Sequence, residues 1–264
     1  MFAGTLAHLP RLVVWLGGAY LALVTLVWTG LHRPLDRALA AVLWQDVPCW
    51  GRTLGERASV VFAAELSLLY AFGLAFLCLR ARRPMAGFWI IFLLLAGVGV
   101  EITFKYYFQQ PAPSAFFETI GRAACEAPGV GYPLTVVPTP SSLPSGYSIR
   151  AAYFCLLLAA FIGGRWPSLR WPALALLSVV ALAAAASRVT VGWHWPSDVI
   201  AGVLLGACAA VFATAQAGNF AWLQAGGRSR GGKSAGGRGS GASGRRGSGN
   251  RSSARPPRRS PPRR

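Results

Sequence analysis

Long apolar stretches alternate with short polar segments along most of the chain. Six stretches come close to the roughly 20 residues with which a helix crosses the hydrocarbon core of a bilayer. They lie near residues 11–31, 60–79, 86–104, 149–164, 171–187 and 199–218. None shows the alternating pattern of a membrane strand, and backbone groups in lipid must be hydrogen-bonded internally. The pattern therefore predicts an all-α polytopic membrane protein, a six-transmembrane-helix bundle.

The polar segments divide the chain into three parts. Residues 1–59 hold the first predicted span and an outward loop, in which residues 36–44 have the pattern of a short amphipathic surface helix. Residues 60–218 form the predicted membrane core. Residues 219–264 are rich in Arg, Gly, Ser and Pro and have almost no apolar side chains. We predict that this tail is disordered, because such a composition cannot bury enough apolar surface to fold.

Much of the chain's charge is concentrated in the tail. The net charge is +18, although only 13% of the residues are charged, compared with roughly 25% in a typical soluble domain. Twelve of the 26 Lys and Arg lie in residues 228–264. We expect the tail to be attracted to anionic lipid head groups. An arginine-rich RNA contact is the less favoured alternative, and the sequence does not indicate an oligomeric state.

Basic loops predict the orientation of the bundle. The loops at 80–84 and 165–170 fall on the same side of a six-span bundle as the tail, and all three carry Arg. The positive-inside rule assigns that side to the cytoplasm, although the opposite loop at 32–59 also carries Arg. We expect an integral plasma-membrane protein, prokaryotic from its compact size, with both termini cytoplasmic. Residues 105–148 and 188–198 then also face outward.

Ionisable side chains are clustered between the last two spans, in SRVTVGWHWPSDVIAG, residues 187–202. Asp198 follows His194 by four residues, near the start of the last helix, where its carboxylate could orient the imidazole and raise its basicity. Arg188 would end the preceding helix and could donate to phosphate oxygens. Charges at a membrane edge are costly and by default indicate function. The alternative is an interfacial His and an ion pair that only cap two helices.

These residues match a known signature. SRVTVGWHWPSD fits S-R-x5-H-x3-D, the third signature of the type 2 phosphatidic acid phosphatase family. Its members are integral membrane lipid phosphatases that are similar at the active site to vanadium haloperoxidases. KYYFQQPAP, from Lys105, and PSGY, from Pro144, partly match the family's first and second signatures, K-x6-R-P and P-S-G-H, in the same order. The chain thus resembles this family over about residues 60–218.

The resemblance implies a role for each matching residue. His194 corresponds to the nucleophile that attacks phosphorus and forms a phosphohistidine, and Asp198 corresponds to the acid that orients it. Backbone amides at the start of the fourth span would face the anion, as they do at other helix N-termini. The resemblance implies neither a metal ion nor another cofactor. The residues that correspond to the phosphate-binding set are Lys105, Ser145, Gly146 and Arg188.

Two positions depart from the family's pattern. Tyr147 stands where the family has the His that protonates the leaving oxygen. A phenol, with a pKa of about 10, is a weaker acid at neutral pH than an imidazole, with a pKa of about 6.5. Ala112 stands where the family has Arg, so one phosphate-binding cation is missing. The candidates to substitute for it are Gln110, Arg150 and Arg122.

The departures lead to a prediction of the substrate. A leaving phosphate needs protonation less than a leaving alkoxide does, so Tyr147 beside an intact His194–Asp198 pair favours a lipid diphosphate. The sequence thus predicts a membrane lipid phosphatase that acts on a lipid phosphate or diphosphate, with a polyprenyl diphosphate such as undecaprenyl diphosphate favoured. Two alternatives stay open. One is a weak or inactive relative that binds a lipid phosphate, and the other is a transferase that passes the phospho-group to another acceptor.

Three further features lead to structural expectations. Glu101 lies four residues before Lys105 on one helical face, so an ion pair between them is expected. Glu65 lies in the second span and should face the bundle, where a structural hydrogen bond is favoured over catalysis. Cys49 and Cys125 both lie in predicted outward loops and are candidates for a disulfide in an oxidising compartment.

Overall fold

The computed structural model describes residues 9–108, 110–113 and 141–218, which contain eight α-helices and no strand. This confirms the predicted all-α fold. The tail, Arg122 and the proposed Cys49–Cys125 pair lie outside the residues or side chains that are described. In chain order the helices are α1 (Leu9–Thr29), α2 (Arg33–Asp46), α3 (Cys49–Ser59), α4 (Ala64–Arg80), α5 (Pro84–Tyr107), α6 (Gly146–Arg165), α7 (Arg170–Thr190) and α8 (Pro196–Gln216).

The described residues contain five to six candidate membrane spans. Helices α1, α5, α6 and α8, together with α7 and the 3-10 turn before it, are long and apolar enough to cross a bilayer. The remaining predicted span corresponds to α4, which has only 17 residues. It follows the segment Thr53–Phe62 at a bend of 41°. Counting this bent pair as one span gives the predicted six.

Helix α6 is the most buried of the spans and packs against both α7 and α8. On α6, the hydroxyl of Tyr153 donates a hydrogen bond of 2.7 Å to the carbonyl oxygen of Ile90 on α5. The largest apolar cluster lies between α4, α5, α6 and α8 and includes Leu94, Leu157 and Ala210. The bundle is therefore built around α6, which fixes the position of the α6 N-terminus.

Two glycines on α8 allow α8 to approach α6 closely. A Cβ on Gly206 would collide with the carbonyl group of Ile149, and a Cβ on Gly202 would lie 2.5 Å from the carbonyl oxygen of Ser145. Small residues of this kind bring membrane helices into backbone contact. The amide of Ser145 accordingly donates to the carbonyl oxygen of Asp198 at 3.0 Å. The beginnings of α6 and α8 are thereby joined.

Helix α2 extends the amphipathic segment predicted at residues 36–44. His32, Asp36 and Ala40 are buried and follow one another at intervals of four residues, so they form one stripe along the helix. Leu35, on another face, is exposed. Asp36 contacts the first turn of α8 through hydrogen bonds to Ser197. Helix α2 thus turns His32, Asp36 and Ala40 toward the bundle and leaves apolar side chains such as Leu35 exposed.

Candidate active site

The candidate site lies at one end of the bundle, where several helix ends meet. Lys105 is in the last turn of α5, and Arg188 is in the last turn of α7. Ser145 and Gly146 begin α6, and Asp198 is in the first turn of α8. The fold thus brings the complete third signature and the two partial signatures to the same end of the bundle, each at an end of a helix.

A tight turn places His194 between α7 and α8. The amides of Trp193 and His194 both donate to the carbonyl oxygen of Arg188, at 3.1 and 3.3 Å. Gly192 has a φ of 82°, the left-handed conformation that commonly ends a helix. Pro196 then begins α8, a position where its fixed φ suits the helix. The sequence therefore ends one helix, starts the next and holds the buried imidazole of His194 between them.

Asp198 is fully buried, and its carboxylate has three neighbours. Oδ2 accepts a hydrogen bond of 2.9 Å from the amide of Trp195 and lies 3.8 Å from Nδ1 of His194. Oδ1 accepts a hydrogen bond of 3.2 Å from Nε2 of Gln110. The distance from Nδ1 of His194 to Oδ2 of Asp198 is too long for a hydrogen bond. Asp198 is nevertheless the carboxylate that lies next to Nδ1.

Glu101 links two of the candidate phosphate-binding cations. Its Oε1 lies 2.7 Å from Nζ of Lys105, and its Oε2 lies 3.1 Å from Nη1 of Arg150. Nε of Arg150 also donates to the carbonyl oxygen of Phe62 at 2.8 Å. The expected pair of Glu101 and Lys105 is therefore present, and it extends to Arg150. Gln110, in contrast, uses its side-chain amide to bind Asp198.

Gly146 lies directly against the carboxylate of Glu101. A Cβ at this position would collide with both carboxylate oxygens. The preceding residue, Ser145, is the N-cap of α6, and its Oγ accepts a hydrogen bond of 3.0 Å from the hydroxyl of Ser148. Glycine is therefore needed at 146 because any side chain there would displace the acid that holds Lys105 and Arg150.

The ring of Tyr147 contacts two guanidinium groups. Cζ of Arg188 lies 4.6 Å from the ring centroid, and Cζ of Arg150 lies 5.0 Å from it. Both distances are within the range of cation–π interactions. Arg188 is buried and also lies 5.9 Å from the ring of Trp193. Tyr147 therefore stands between the cations of the site and contributes to holding both in place.

The arrangement combines an imidazole with three cations and one bridging carboxylate. Charges fixed in this way are suited to bind an anion and to stabilise the charge that spreads over a phosphoryl group during transfer. In the described ranges, no group of three or more His, Cys, Asp or Glu side chains is placed to hold a metal ion. The side chains named above therefore form a candidate anion site beside the buried imidazole of His194.

The sequence analysis missed a second His–Asp pair beside the site. Oδ1 and Oδ2 of Asp36 accept hydrogen bonds from the amide and the hydroxyl of Ser197, at 2.9 and 2.5 Å. Nε2 of His32 lies 3.7 Å from Oδ2 of Asp36. Burial raises the pKa of Asp36, and the two hydrogen bonds from Ser197 oppose that shift. The sequence signal that could have revealed this pair was its spacing, because His32 and Asp36 are four residues apart, as His194 and Asp198 are.

Known proteins resemble this chain in sequence and in fold. Residues 86–222 match the PAP2 superfamily. The phosphatidylglycerophosphatase B proteins of Escherichia coli and Shigella flexneri are 29% identical over 166 residues, which cover 52% of this chain and 63% of each relative. The match thus spans less than two thirds of these relatives' length.

A solved structure has a similar fold. The crystal structure of the first transmembrane PAP2 type phosphatidylglycerolphosphate phosphatase from Bacillus subtilis aligns with a TM-score of 0.61 at 19% sequence identity. The alignment covers 76% of this chain and 94% of that one. At this identity the likeness concerns the fold, and it confirms a transmembrane helical bundle.

Proposed function

Because the chain belongs to the PAP2 superfamily, we propose that it is a membrane lipid phosphatase that acts through a phosphohistidine on His194. The observation that carries the proposal is the meeting of His194 and Asp198 with the cations Lys105, Arg150 and Arg188 at one end of a membrane bundle. The names of the relatives support the same class of reaction, the removal of phosphate from a lipid.

In the proposed first step, Nε2 of His194 attacks phosphorus, and the bond from phosphorus to the leaving oxygen breaks with its electron pair on that oxygen. Asp198 stabilises the positive charge that develops on the ring, as an orienting carboxylate does in other nucleophile–base pairs. Lys105, Arg150 and Arg188 stabilise the equatorial oxygens. In the second step water attacks the phosphohistidine, the P–N bond breaks, and the imidazole and inorganic phosphate are released.

The proposed substrate class follows from the leaving group. Tyr147 is a weak acid at neutral pH, so it supports a leaving group that departs without a proton. A polyprenyl diphosphate has such a leaving group, because its departing oxygen belongs to a phosphate. The second candidate is phosphatidylglycerophosphate, which the names of the relatives favour. Its departing oxygen is an alkoxide that must gain a proton.

A panel assay tests the substrate class. The purified protein is given a prenyl diphosphate, phosphatidylglycerophosphate and phosphatidic acid in the same micelles, and phosphate release is measured. We expect the highest kcat/KM with the prenyl diphosphate. A preference for either alkoxide-leaving substrate would reject the diphosphate specificity but keep the phosphatase. Transfer to added alcohols in place of water would instead support the transferase alternative.

Trapping the intermediate tests the mechanism. Protein mixed with ³²P-labelled lipid and quenched in alkali should carry a label that is lost in acid, as expected of a phosphohistidine. The His194→Asn variant should carry no label, while His8→Asn, the matched control, should keep it. Turnover without any label would exclude the covalent step. Binding of the lipid with neither label nor turnover would favour the non-catalytic alternative.

We further propose that the candidate active site faces outward from the plasma membrane and that both termini are cytoplasmic. The basic residues of the α4–α5 and α6–α7 connections support this orientation through the positive-inside rule. In a cysteine-free background, Trp28→Cys should react with a membrane-impermeant maleimide in intact cells, and Arg83→Cys should not. The opposite pattern would invert the topology. Deleting residues 227–264 should weaken adsorption to anionic vesicles and leave turnover unchanged.

A further inference from the structure

A cleft of about 540 Å³ lies between α1, α2 and the segment that follows α5. We call it the α2 cleft. The candidate phosphate-binding residues Lys105, Arg150 and Arg188 are not among its lining residues. It therefore lies beside the candidate active site and is separate from its cations. The lining residues on which its chemistry depends are Trp28, His32, Arg33, Arg37, Gln110 and Trp195.

The charges of the α2 cleft suit an anion. Arg33 and Arg37 are exposed side chains one helical turn apart on α2, and both line the cleft. His32 is 7% exposed, and its Nδ1 has no hydrogen-bond partner among the residues that the structure describes. Asp36 also lines the cleft, but both of its oxygens accept hydrogen bonds from Ser197. Arg33 and Arg37 therefore give the α2 cleft two guanidinium groups.

The position of the α2 cleft suits a lipid head group. Trp28 at the end of α1 and Tyr107 at the end of α5 both line it and are 78% and 84% exposed. Aromatic side chains at the ends of spans typically lie at the level of the lipid head groups. Because α1 and α5 are both candidate spans, we expect the cleft to open near the depth of the lipid phosphates.

We propose that the α2 cleft binds the phosphodiester head group of an anionic lipid that is not a substrate. The guanidinium groups of Arg33 and Arg37 are suited to bind its phosphate oxygens. Gln110 and Trp195 form the wall shared with the candidate active site, because both donate hydrogen bonds to the carboxylate of Asp198. A bound head group therefore contacts the residues that hold this acid.

Binding of a short-chain phosphodiester tests the proposal. Purified full-length protein in nonionic detergent is titrated with dioctanoyl phosphatidylglycerol, and the apparent Kd is obtained from the rise in thermal midpoint. Arg33→Gln/Arg37→Gln should raise this Kd about 30-fold, and Arg33→Gln alone about fivefold, from the usual contribution of a basic side chain near an anionic head group. The single variant decides the test if the double variant does not fold. The matched control is Arg80→Gln/Arg83→Gln, which should not change the Kd because these exposed arginines lie in the α4–α5 connection.

Two further arms separate the other ligand sources. Lys105→Gln should weaken binding of inorganic phosphate and leave the Kd for phosphatidylglycerol unchanged. An equal loss for both ligands would place the lipid at the candidate active site and overturn the proposal. Inorganic phosphate that stabilises the protein only when Arg33 and Arg37 are present would show a free-phosphate site instead of a lipid site. An unchanged lipid Kd in the Arg33→Gln/Arg37→Gln variant would also overturn it. None of these readouts requires turnover, so they stand apart from the test of the proposed function.

Discussion

Asp36 holds the beginning of α8, and replacing it by Ala should destabilise the protein. Its carboxylate accepts hydrogen bonds from the amide and hydroxyl of Ser197, which is itself buried. A buried donor without a partner costs about 1–3 kcal/mol, so two such donors cost about 2–6 kcal/mol. Part of this cost is offset because the Ala variant no longer has to bury the carboxylate of Asp36, which is unfavourable in itself. We expect a net loss of about 3 kcal/mol, or a fall of about 6–12 °C in the thermal midpoint.

The same substitution should slow turnover. Ser197 directly precedes Asp198, so loosening the first turn of α8 displaces the acid beside His194. A displacement of about 1 Å in a catalytic group can cost about 100-fold in rate, and we expect at least a tenfold fall in kcat. KM should change little, since Asp36 is not among the candidate phosphate-binding residues. Steady-state kinetics with the best lipid of the panel measures both constants.

Two matched variants make the result decisive. Leu35→Ala removes a side chain on the same helix that is 62% exposed, and it should change stability by no more than about 0.5 kcal/mol. Asp36→Asn keeps one acceptor oxygen and should fall between the wild type and Asp36→Ala. If Asp36→Ala has the same thermal midpoint and kcat as Leu35→Ala, the assignment of Asp36 as the residue that holds α8 is refuted.

Three further predictions concern single side chains. Tyr147→His should raise the turnover of phosphatidic acid relative to a prenyl diphosphate by at least about tenfold, because imidazole is the better acid at pH 7; an unchanged ratio would contradict this. Gly206→Ala should cost about 1–3 kcal/mol because its methyl group meets the carbonyl group of Ile149, whereas Gly73→Ala enters open space and should not lower the thermal midpoint. The unfolding free energy of the wild type minus that of Asp36→Asn should fall as pH rises from about 4. The reason is that the buried carboxyl of Asp36 keeps its proton at pH values where the same carboxyl in the unfolded chain has lost it. A difference that rises with pH would contradict this.

The sequence predicted part of the candidate site because the signals for that part are local. His194 and Asp198 are four residues apart across the start of one helix, and Glu101 and Lys105 share a face of another. The contacts that complete the site join distant parts of the chain. Arg150 meets Glu101 across 49 positions, and Asp36 meets Ser197 across 161. Such partners depend on how helices pack, which hydrophobic periodicity does not specify.

The fold was predictable to a similar degree. Six apolar stretches predicted the candidate spans, because the length needed to cross lipid is fixed by the bilayer. The break before α4 was not predicted, because residues 60–64 are all apolar and contain no proline. The amphipathic helix was predicted at residues 36–44, whereas α2 runs from Arg33 to Asp46. Its first turn is held by the buried contact of Asp36 with α8, which joins distant parts of the chain.

Glu101 gives the candidate phosphate-binding residues a resident counter-ion. Its carboxylate already neutralises part of the charge of Lys105 and Arg150 before any ligand arrives. In the proposed reaction, an entering phosphate would exchange with Glu101, so that Lys105 and the buried Arg150 would not stand uncompensated in a site of low dielectric. The exchange would run in reverse when Glu101 recovers its partners from inorganic phosphate. A built-in competitor of this kind would weaken product retention and so favour repeated turnover.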